Sequence, residues 1–469
     1  MGSKWTKTKL KDLGKIVTGK TPSSKINEPF SSKGVLFVTP RDMKGQRWIV
    51  QTERYLSDEG LKAVKNSFIP KDSIAVSCIG SDMGKTNLIK SDSVTNQQIN
   101  SIIVDKSKHD PLFIYYSLSL KQEYFKSIAS GSATPILNKN DFGECEIYIP
   151  SKESQITISS FLDVLDSKVE INNKINQTLE QMSQTLFKSW FVDFDPVIDN
   201  ALDAGNPIPE ALQSRAELRQ KVRNSTDFKP LPADIRALFP AEFEETELGW
   251  VPKGWDIVKT EDIAIKIGMG PFGSNIKVST FVGSGVPVIS GQHLKEILII
   301  DGGNNFITPE HAEKLKNSAV YRKDIIFTHA GNIGQVSIIP DDSEYDDYII
   351  SQRQFYLRVN ESKSSPYYLI HYFRSEQGQH ALLSNASQVG VPSIARPSTH
   401  LRNITFLNPS KPLLEEFDKL CAPLFKRFNQ NRKCSISLTN LRDTLLPKLI
   451  SGELSLEDLP DLVNQTEAA

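Results

Sequence analysis

Residues 158–189 read ISSFLDVLDSKVEINNKINQTLEQMSQTLFKS, and residues 417–448 read FDKLCAPLFKRFNQNRKCSISLTNLRDTLLPK. In both stretches apolar residues recur every seven positions, which predicts a long amphipathic helix of the coiled-coil type. A second seam is predicted three residues after the first, through Phe161 and Met182 in one helix. The first-seam positions are Ile158, Leu165, Asn172, Leu179 and Leu186, and, 259 residues later, Phe417, Leu424, Asn431, Leu438 and Leu445.

The polar exceptions to this pattern repeat as well. Asn172 and Asn431 occupy the same seam position. A polar residue at such a position fixes the register and the partner of a coiled-coil helix, at a cost in stability. We therefore expect Asn172 and Asn431 to set the register of two helices. A helix over 158–189 would be roughly 47 Å long at 1.5 Å per residue, which indicates a spacer rather than one more helix of a globular core.

The sequence before each helix is duplicated too. GVLFVTPRDMKG from Gly34 corresponds to GVPVISGQHLKE from Gly285, and a glycine loop follows an apolar strand in both copies. Asn96-Gln97-Gln98 matches Ser351-Gln352-Arg353 at an offset of 255 residues. Short strands rich in Val, Ile, Phe and Tyr alternate with short helical stretches, which is typical of a compact α+β domain. The sequence predicts two similar α+β domains, each followed by a long helix.

The composition is that of an ordinary globular protein. The chain has 469 residues, 39% of them hydrophobic and 24% charged, and a formal net charge of −1. These values exclude a disordered, collagen-like or wholly fibrous chain. Residues 1–150 hold 22 basic and 15 acidic side chains, whereas residues 151–250 hold 10 and 17. A basic first domain favours an anionic ligand, although solvated surface charge explains the same numbers.

The sequence indicates a cytoplasmic protein. No stretch approaches about 18 consecutive apolar residues, and the first ten residues are basic and polar without an apolar core. The cysteines, Cys78, Cys145, Cys421 and Cys434, are scattered and form no C-x-x-C pair. We therefore expect no structural zinc site and a reducing compartment.

Motifs for catalysis and metal binding are missing from the sequence. GSDMGKT from Gly80 looks like a phosphate-binding loop, but that loop has four residues between its glycines and this segment has three. Asp341, Glu361 and Lys363 match the pattern of a metal nuclease only superficially, because the first copy lacks it. The seven histidines show no metal-ligand spacing. We expect no catalytic residue and no metal site.

The loops at the strand ends are rich in Gly, Ser, Thr, Asn, Gln, Lys and Arg. Gln and Asn suit adenine edges, Arg and Lys suit guanine edges, and hydroxyl groups suit phosphates. A solvated surface explains any single residue of this kind, but the repetition in both copies favours DNA recognition. The candidate DNA-binding residues are Lys20, Thr21, Arg41, Lys44, Lys85 and Gln97 in the first copy, and Ser274, Gln292, His293, Asn332, Gln335 and Arg353 in the second.

Several segments, in their order along the chain, resemble the specificity subunit of Type I restriction–modification enzymes. They are GKTPS from Gly19, FKSWFVDFDP from Phe187, LGWVPKGW from Leu248, GNIG from Gly331 and LPKLISGEL from Leu446. The resemblance covers nearly the whole chain. It implies an α+β fold in which two similar target-recognition domains are separated by a pair of long antiparallel, coiled-coil-like helices, as a pseudo-twofold repeat.

The resemblance also implies domain boundaries and a function. Each domain would bind one half of a bipartite, asymmetric double-stranded DNA site, and the helices would set the gap. Two methyltransferase subunits, which bring S-adenosylmethionine, and restriction–translocation subunits would be the partners. This chain itself would then bind no cofactor and catalyse no reaction. The boundaries are 1–150 for the first target-recognition domain, 151–193 for the first spacer helix, 194–250 for a connector, 251–409 for the second target-recognition domain, 410–451 for the second spacer helix and 452–469 for a C-terminal tail.

Two other classes of protein stay open. One is a standalone or decoy DNA-binding protein that occupies such sites without catalytic partners. The other is a coiled-coil scaffold whose repeated domains bind protein. Basic residues in the loops favour DNA over the scaffold. The metal-nuclease hypothesis ranks last, because only one copy contains the residues.

Overall fold

A computed structural model describes residues 5–129, 135–273, 275–387, 390–455 and 457. The chain divides into two compact units. The first comprises residues 1–170 and 435–469, and the second comprises residues 171–434. Within the described part of the chain, no helix combines the length and the hydrophobicity that crossing a lipid bilayer requires.

The first unit contains an α+β domain. Two central sheets have the strand orders β2-β11-β8-β9-β5 and β3-β6-β4-β10-β7, and β1 pairs with β12 where the chain enters and leaves the domain. Strands β8 and β11 are rich in Ile and Val and are buried along their length, as β-branched residues favour. The strands are β1 (Thr6–Lys9), β2 (Gly14–Thr18), β3 (Phe30–Ser31), β4 (Val35–Val38), β5 (Trp48–Ile49), β6 (Arg54–Leu56), β7 (Phe68–Ile69), β8 (Ile74–Ser77), β9 (Thr86–Ile89), β10 (Ser93–Thr95), β11 (Ile99–Val104) and β12 (Glu146–Ile149), and the helices are α1 (Asp58–Ala63), α2 (Pro111–Ser119), α3 (Gln122–Ile128) and α4 (Lys139–Glu144).

The first long helix and the connector follow. Helix α5 spans Lys152–Phe187 and leads into a short π-helical turn at Lys188–Val192. Phe194 then adopts a left-handed φ of 55°, which changes the direction of the chain. The connector forms α6 (Asp195–Ala204), α7 (Gln213–Arg223) and α8 (Ala233–Arg236).

A ladder of ion pairs holds the connector together. Arg215 donates through Nε and Nη2 to the Asp195 carboxylate at 2.8 and 2.7 Å. One helical turn further on, Arg219 donates in the same way to Asp199 at 2.9 and 2.7 Å. Both aspartates are buried, and a bidentate guanidinium satisfies both oxygens of such a carboxylate. The ladder therefore packs α7 alongside α6.

The second unit contains the second domain, whose topology repeats that of the first. Its central sheets have the orders β16-β23-β20-β21 and β18-β17-β22-β19, and β15 pairs with β26. Only single bridges, Val282–Phe306 and Leu298–Ile338, stand where the first domain has β3 and β5. The strands are β13 (Phe243–Thr246), β14 (Gly249–Pro252), β15 (Asp256–Lys259), β16 (Ala264–Met269), β17 (Val286–Ile289), β18 (Asn305–Ile307), β19 (Ala319–Val320), β20 (Ile325–Thr328), β21 (Val336–Ile338), β22 (Tyr348–Ile350), β23 (Gln354–Val359), β24 (Ala386–Ser387), β25 (Ser393–Ile394) and β26 (Thr405–Asn408), and the helices are α9 (Pro309–Lys314), α10 (Pro366–Arg374), α11 (Glu376–Leu383), α12 (Pro397–Asn403) and α13 (Lys411–Ser451).

The core of each domain continues onto both long helices. In the first unit, Ile158 of α5 and Leu449 of α13 belong to one buried cluster with Phe113 of the domain. In the second unit, Phe187 of α5 and Phe417 of α13 belong to one cluster with Tyr368 of that domain. Burial of aromatic and aliphatic side chains is the main favourable contribution to folding, so each unit contains a domain together with a segment of each helix.

The two long helices run antiparallel in both units. In the first unit Asp166 of α5 forms an ion pair with Arg442 of α13. In the second unit Asn172 donates to the carbonyl oxygen of Asn431 at 3.4 Å, and Asn176 donates to that of Phe428 at 3.1 Å. Numbers rise along one helix as they fall along the other, so the predicted antiparallel pair is confirmed.

The predicted second seam is wrong. It was placed three residues after the first, but Lys168 and Met182 of α5 and Leu441 of α13 are exposed. The buried positions instead follow the first seam by four residues, through Leu162, Asn176 and Ser183 of α5. Two of these residues are polar, and a pattern search that favours apolar residues passes over them. Their burial is possible because Asn176 hydrogen-bonds across the pair, accepting from Asn431 Nδ2 at 3.0 Å, and Ser183 donates to its own helix.

This buried amide network leads to a prediction about stability. Asn431→Leu should lower the free energy of unfolding by about 1–3 kcal/mol, because it leaves the buried Asn176 oxygen without its donor. Replacing Asn172, Asn176 and Asn431 together with Leu should recover most of that loss, because no unpaired amide then remains. Asn173→Leu, at an exposed position, is the matched control. Thermal denaturation of the full chain measures all three; a triple variant less stable than Asn431→Leu would contradict the network.

Candidate nucleic-acid interface

Four loops of the first domain meet at one edge of its central sheets. Strands β4 and β10 run parallel, and after their ends the Asn96 N–H donates to the Val38 carbonyl at 2.9 Å. Strands β2 and β8 are both antiparallel to β11, so their ends meet its beginning. The loops at this edge are residues 19–21, 39–44, 78–85 and 96–98.

The candidate residues of the first domain all lie on these loops. Lys20, Arg41, Lys44 and Gln97 are exposed, and Thr21 and Lys85 are half-buried. Thr21 Oγ1 donates to Gln97 Oε1 at 2.6 Å, which joins the first and last of the loops. Lys85 forms an ion pair with Asp82 at 2.7 Å. The edge therefore presents several cationic and amide side chains within one set of connected loops.

The second domain has the same edge. Strands β17 and β22 run parallel, and the Ser351 N–H donates to the Ile289 carbonyl at 2.8 Å, as Asn96 does to Val38 in the first domain. Gln292, Asn332 and Arg353 are exposed on its loops. The corresponding loops are residues 270–273, 290–293, 329–335 and 351–353.

Two further candidates of the second domain are less accessible or not described. Gln335 is half-buried, and its Oε1 accepts from Thr328 Oγ1 at 3.2 Å. Gln335 occupies the position of Lys85, because each follows a glycine loop and pairs with the end of the preceding strand. Ser274 lies outside the described residues.

His293 has a structural explanation. Its side chain is only 2% exposed, and its Nδ1 accepts from the Ser290 N–H at 2.9 Å. In the first domain Asp42 makes the same bond, accepting from the Thr39 N–H at 2.8 Å. Burial lowers the pKa of His293, which favours the neutral ring that can accept this bond. We therefore leave His293 out of the proposed DNA surface and assign it to capping its loop.

Two glycines allow the loops to meet. A Cβ atom on Gly19 would lie 2.0 Å from the Asn96 carbonyl oxygen, and one on Gly270 would lie 2.0 Å from the Ser351 carbonyl oxygen. No side chain fits at such distances, so both positions require glycine. The same close approach in both domains shows that the loops are built in the same way.

The structure also adds residues that the sequence did not single out. Cys78 and His329 occupy equivalent positions. Their backbone N–H groups donate to the backbone carbonyl oxygens of Gln98 and Arg353, at 2.8 and 2.9 Å respectively. Arg353 therefore corresponds to Gln98, and Gln97 corresponds to Gln352, which is exposed but was not a candidate. The match of residues 96–98 with residues 351–353 in the sequence already contained this correspondence. The candidates follow from the type of side chain and not from the matched position, so they include Arg353 and not Gln352.

A second added feature is the segment that closes each glycine loop. The Gly80 N–H donates to the Pro135 carbonyl at 3.2 Å, and the Gly331 N–H donates to the Pro392 carbonyl at 2.9 Å. Arg396, four residues after Pro392, is exposed with a left-handed φ of 45°. The matching prolines at an offset of 257 residues were the available sequence signal.

The residues of the nuclease-like pattern do not form a site. Asp341 accepts from the Tyr367 hydroxyl at 2.6 Å, Glu361 pairs with Lys323 at 2.9 Å, and Lys363 donates to the Asp262 carbonyl at 2.8 Å. Each residue therefore has a separate structural partner. Among the residues that the structure describes, no group of three or more His, Cys, Asp or Glu side chains could hold a metal ion.

The first part of the chain matches a known protein family. Residues 2–181 match the family described as Type I restriction modification DNA specificity domain. This segment contains the first domain and most of α5. It therefore includes the first of the two loop-bearing edges.

Two curated relatives extend the similarity beyond that segment. The Type I restriction enzyme MjaIX specificity subunit of Methanocaldococcus jannaschii is 25% identical over 468 residues, covering 97% of this chain and 94% of the relative. The HindI specificity subunit of Haemophilus influenzae is 28% identical over 376 residues, covering 73% and 77%.

A solved structure shares the fold. The crystal structure of the Type-I restriction-modification system S subunit from M. genitalium superimposes with a TM-score of 0.56, at 17% identity, covering 95% of this chain and 96% of that one. The resemblance that the sequence indicated is confirmed: over almost its whole length, this chain is similar to the specificity subunits of Type I restriction–modification enzymes.

Proposed function

We propose that this chain is the DNA sequence-recognition subunit of a Type I restriction–modification complex, and that it binds a bipartite, asymmetric DNA site. The observation that carries this proposal is the occurrence of the same loop-bearing edge in both domains. Each edge presents exposed Arg, Lys, Gln or Asn side chains, which are the groups that hydrogen-bond to base edges and phosphates. Two such edges in one chain suit two half-sites.

The two half-sites should differ in sequence. At equivalent positions the first domain has Arg41 where the second has Gln292, and Lys85 where the second has Gln335. Arginine and lysine favour guanine, whereas glutamine favours adenine. An asymmetric target follows from this difference, because the same scaffold presents different donors and acceptors in its two copies.

The proposed partners are two methyltransferase subunits and the restriction–translocation subunits. S-adenosylmethionine would come with the methyltransferase subunits, so this chain would act in the cytoplasm as a non-catalytic scaffold. The second unit offers one surface that suits a protein partner. Met182 is 52% exposed on α5, beside a cavity of about 490 Å³ lined in part by Leu186, Trp190 and Leu231. We propose this groove, with Met182 in its wall, as a contact site for a partner subunit.

A DNA-binding measurement tests the core of this proposal. Arg41→Ala and Lys20→Ala should each weaken the binding of the full chain to a mixed-sequence DNA duplex by roughly 5- to 100-fold, because each removes an exposed cation from the edge. The slope of log affinity against log salt should fall by about 1 for a residue that contacts phosphate.

The matched control is Lys71→Ala. Lys71 is an exposed cation of the same domain, but it lies before β8, at the opposite end of the strand from the loops. Its replacement should leave both affinity and salt dependence unchanged. If Lys71→Ala weakened binding as much as Arg41→Ala, the effect would come from net charge and the proposed edge would be wrong.

A further inference from the structure

Arg47 joins the first domain to α5. It immediately precedes β5, and its side chain is only 6% exposed. The guanidinium group contacts the carboxylates of Asp163, of Asp166 at 3.8 Å and of Glu170 at 3.1 Å. Tyr116 of the domain also donates to Asp166, at 2.7 Å. At this interface the domain contributes the cation and the helix contributes the anions.

The charges at this interface are compensated. Burial alone lowers the pKa of Arg47, but Tyr116, Glu170 and Asp163 outweigh it and raise the pKa above its usual value. Asp166 has a second cation, Arg442 of α13, in the same unit. Arg47 and Asp166 are buried, whereas Asp163 and Glu170 are 40% and 42% exposed, so removal of Arg47 destabilises the interface chiefly by leaving the buried Asp166 with one cation instead of two.

The corresponding interface of the second domain has the opposite polarity. Leu298 bridges Ile338 in parallel, as Trp48 of β5 pairs with Leu88, so Ile297 occupies the position of Arg47 and Glu296 occupies that of Gln46. Arg432 of α13 donates to Glu296 Oε2 at 3.4 Å and to the Leu298 carbonyl at 3.3 Å. Here the helix contributes the cation and the domain contributes the anion.

Asp342 of the second domain makes a second contact with α13. Asn429 of α13 donates to Asp342 Oδ1 at 2.8 Å, and Lys433 donates to the carbonyl oxygen of Asp342. Burial lowers the pKa of Arg432, while the carboxylates of Glu296, Asp301 and Asp342 act in the opposite direction. A second cation buried at this interface would compete with Arg432 for Glu296.

The repeat shows what an exchange of domains would do. Adding 259 to the α5 positions that surround Arg47 gives Ala422, Phe425 and Asn429 of α13, none of which is acidic. Arg47 transferred to the second position would thus be buried near Arg432 without a carboxylate. The reverse transfer would place the apolar Ile297 at the position of Arg47, so the three α5 carboxylates would lose their cation and the acidic Glu296 would lie beside it.

We propose that these opposite charges form a position key, by which each domain docks stably only on the helix that follows it in the chain. The key consists of Arg47 with Asp163, Asp166 and Glu170 at the first position, and of Glu296 with Arg432 at the second. The key goes beyond the proposed function because it concerns docking and not DNA. Its consequence is that the order of the two domains in the chain is fixed by charge.

A pair of full-length chimeras tests the key. Both replace residues 1–150 with a second copy of residues 251–409. One keeps Glu296 and Ile297 in the transplanted copy, and the other carries Glu296→Gln and Ile297→Arg there, which reproduces the Gln46-Arg47 sequence of the first domain. The midpoint temperature of the first thermal unfolding transition should be higher in the second chimera than in the first by roughly 5 °C or more. The reason is that the second chimera restores the cation that the α5 carboxylates require.

The matched control places the same two substitutions in the natural chain, at the natural position of the second domain. There they should lower the midpoint temperature of the transition by roughly 5 °C, because Ile297 is buried in the apolar core of the second unit, where an arginine would lie close to Arg432 and would have no carboxylate of its own. If the two substitutions acted only on the stability of the domain itself, they would shift its midpoint temperature in the same direction in the chimera and in the natural chain. The proposal would be overturned if the two chimeras had the same midpoint temperature. It would also be overturned if the two substitutions shifted the midpoint in the same direction at both positions.

If neither chimera folds, the natural chain decides. Arg47→Glu should lower the midpoint temperature of the first unfolding transition by roughly 3 °C or more beyond the effect of Arg47→Met. Glutamate adds repulsion from the α5 carboxylates, whereas methionine only removes the cation. Equal effects of the two substitutions would overturn the proposal. Neither measurement involves DNA, so a failure of the key is distinct from a failure of the proposed function.

Discussion

Exchanging residues 1–150 for the first domain of another specificity subunit should change one half of the DNA site and leave the other half as it was. The loops of the first edge all lie between residues 19 and 98, and those of the second edge lie between residues 270 and 353. Each edge thus belongs to one domain and one unit. Because each mismatched base pair costs about 1–3 kcal/mol, a new half-site should replace the old one completely.

The measurement is the methylation of a random-sequence library by the chimera together with the methyltransferase subunits. The donor domain should have a basic residue where this chain has Arg47, so that docking on α5 is preserved. The reciprocal control exchanges residues 251–409 and should change only the other half-site. Simultaneous change of both halves by either exchange would show that the domains do not recognise DNA independently.

Much of the fold could be predicted because it rests on local patterns that occur twice. The shared position of Asn172 and Asn431 indicated a pair of helices in one register, and the structure joins these residues by a hydrogen bond. The second seam was misplaced because Asn176 and Ser183 are polar. Only the facing helix, which supplies a partner for Asn176, explains why that residue is buried.

The site was predictable to the level of loops but not of side chains. A glycine loop after an apolar strand indicates an exposed turn, and the candidate loops do meet at one edge. Polarity alone does not distinguish a residue that faces solvent from one that caps a turn, so the candidates include the buried His293 and do not include the exposed Gln352.

Contacts between residues that are far apart in the chain could not be predicted from the sequence. Arg47 and Asp163 are separated by 116 residues, and no local pattern relates them. In the sequence, Arg47 is one of 22 basic residues among the first 150. A net charge cannot reveal which cation is buried against a helix, although that pairing is what distinguishes the two docking positions.

Lengthening both long helices by one heptad should increase the preferred gap between the half-sites by about three base pairs. Helices α5 and α13 contain 36 and 41 residues. Seven residues add about 10 Å to a helix, and base pairs are about 3.4 Å apart. Because the helices pair antiparallel, the insertion after Gln177 should be matched by one after Arg427, close to the level at which Asn176 meets Phe428. Methylation of sites with varied gaps measures the result.

Two controls separate spacing from damage. A matched insertion of three residues in both helices should reduce activity at every gap, because it rotates the seam away from its partner by about 60° and separates Asn176 from Asn431. An insertion of seven residues in α5 alone should also reduce activity, since α13 then offers no residues to face it. The heptad pair keeps every seam position in phase, so it alone should remain active with a wider gap. An active heptad pair with the original gap would mean that the distance between half-sites is set elsewhere than in the helices.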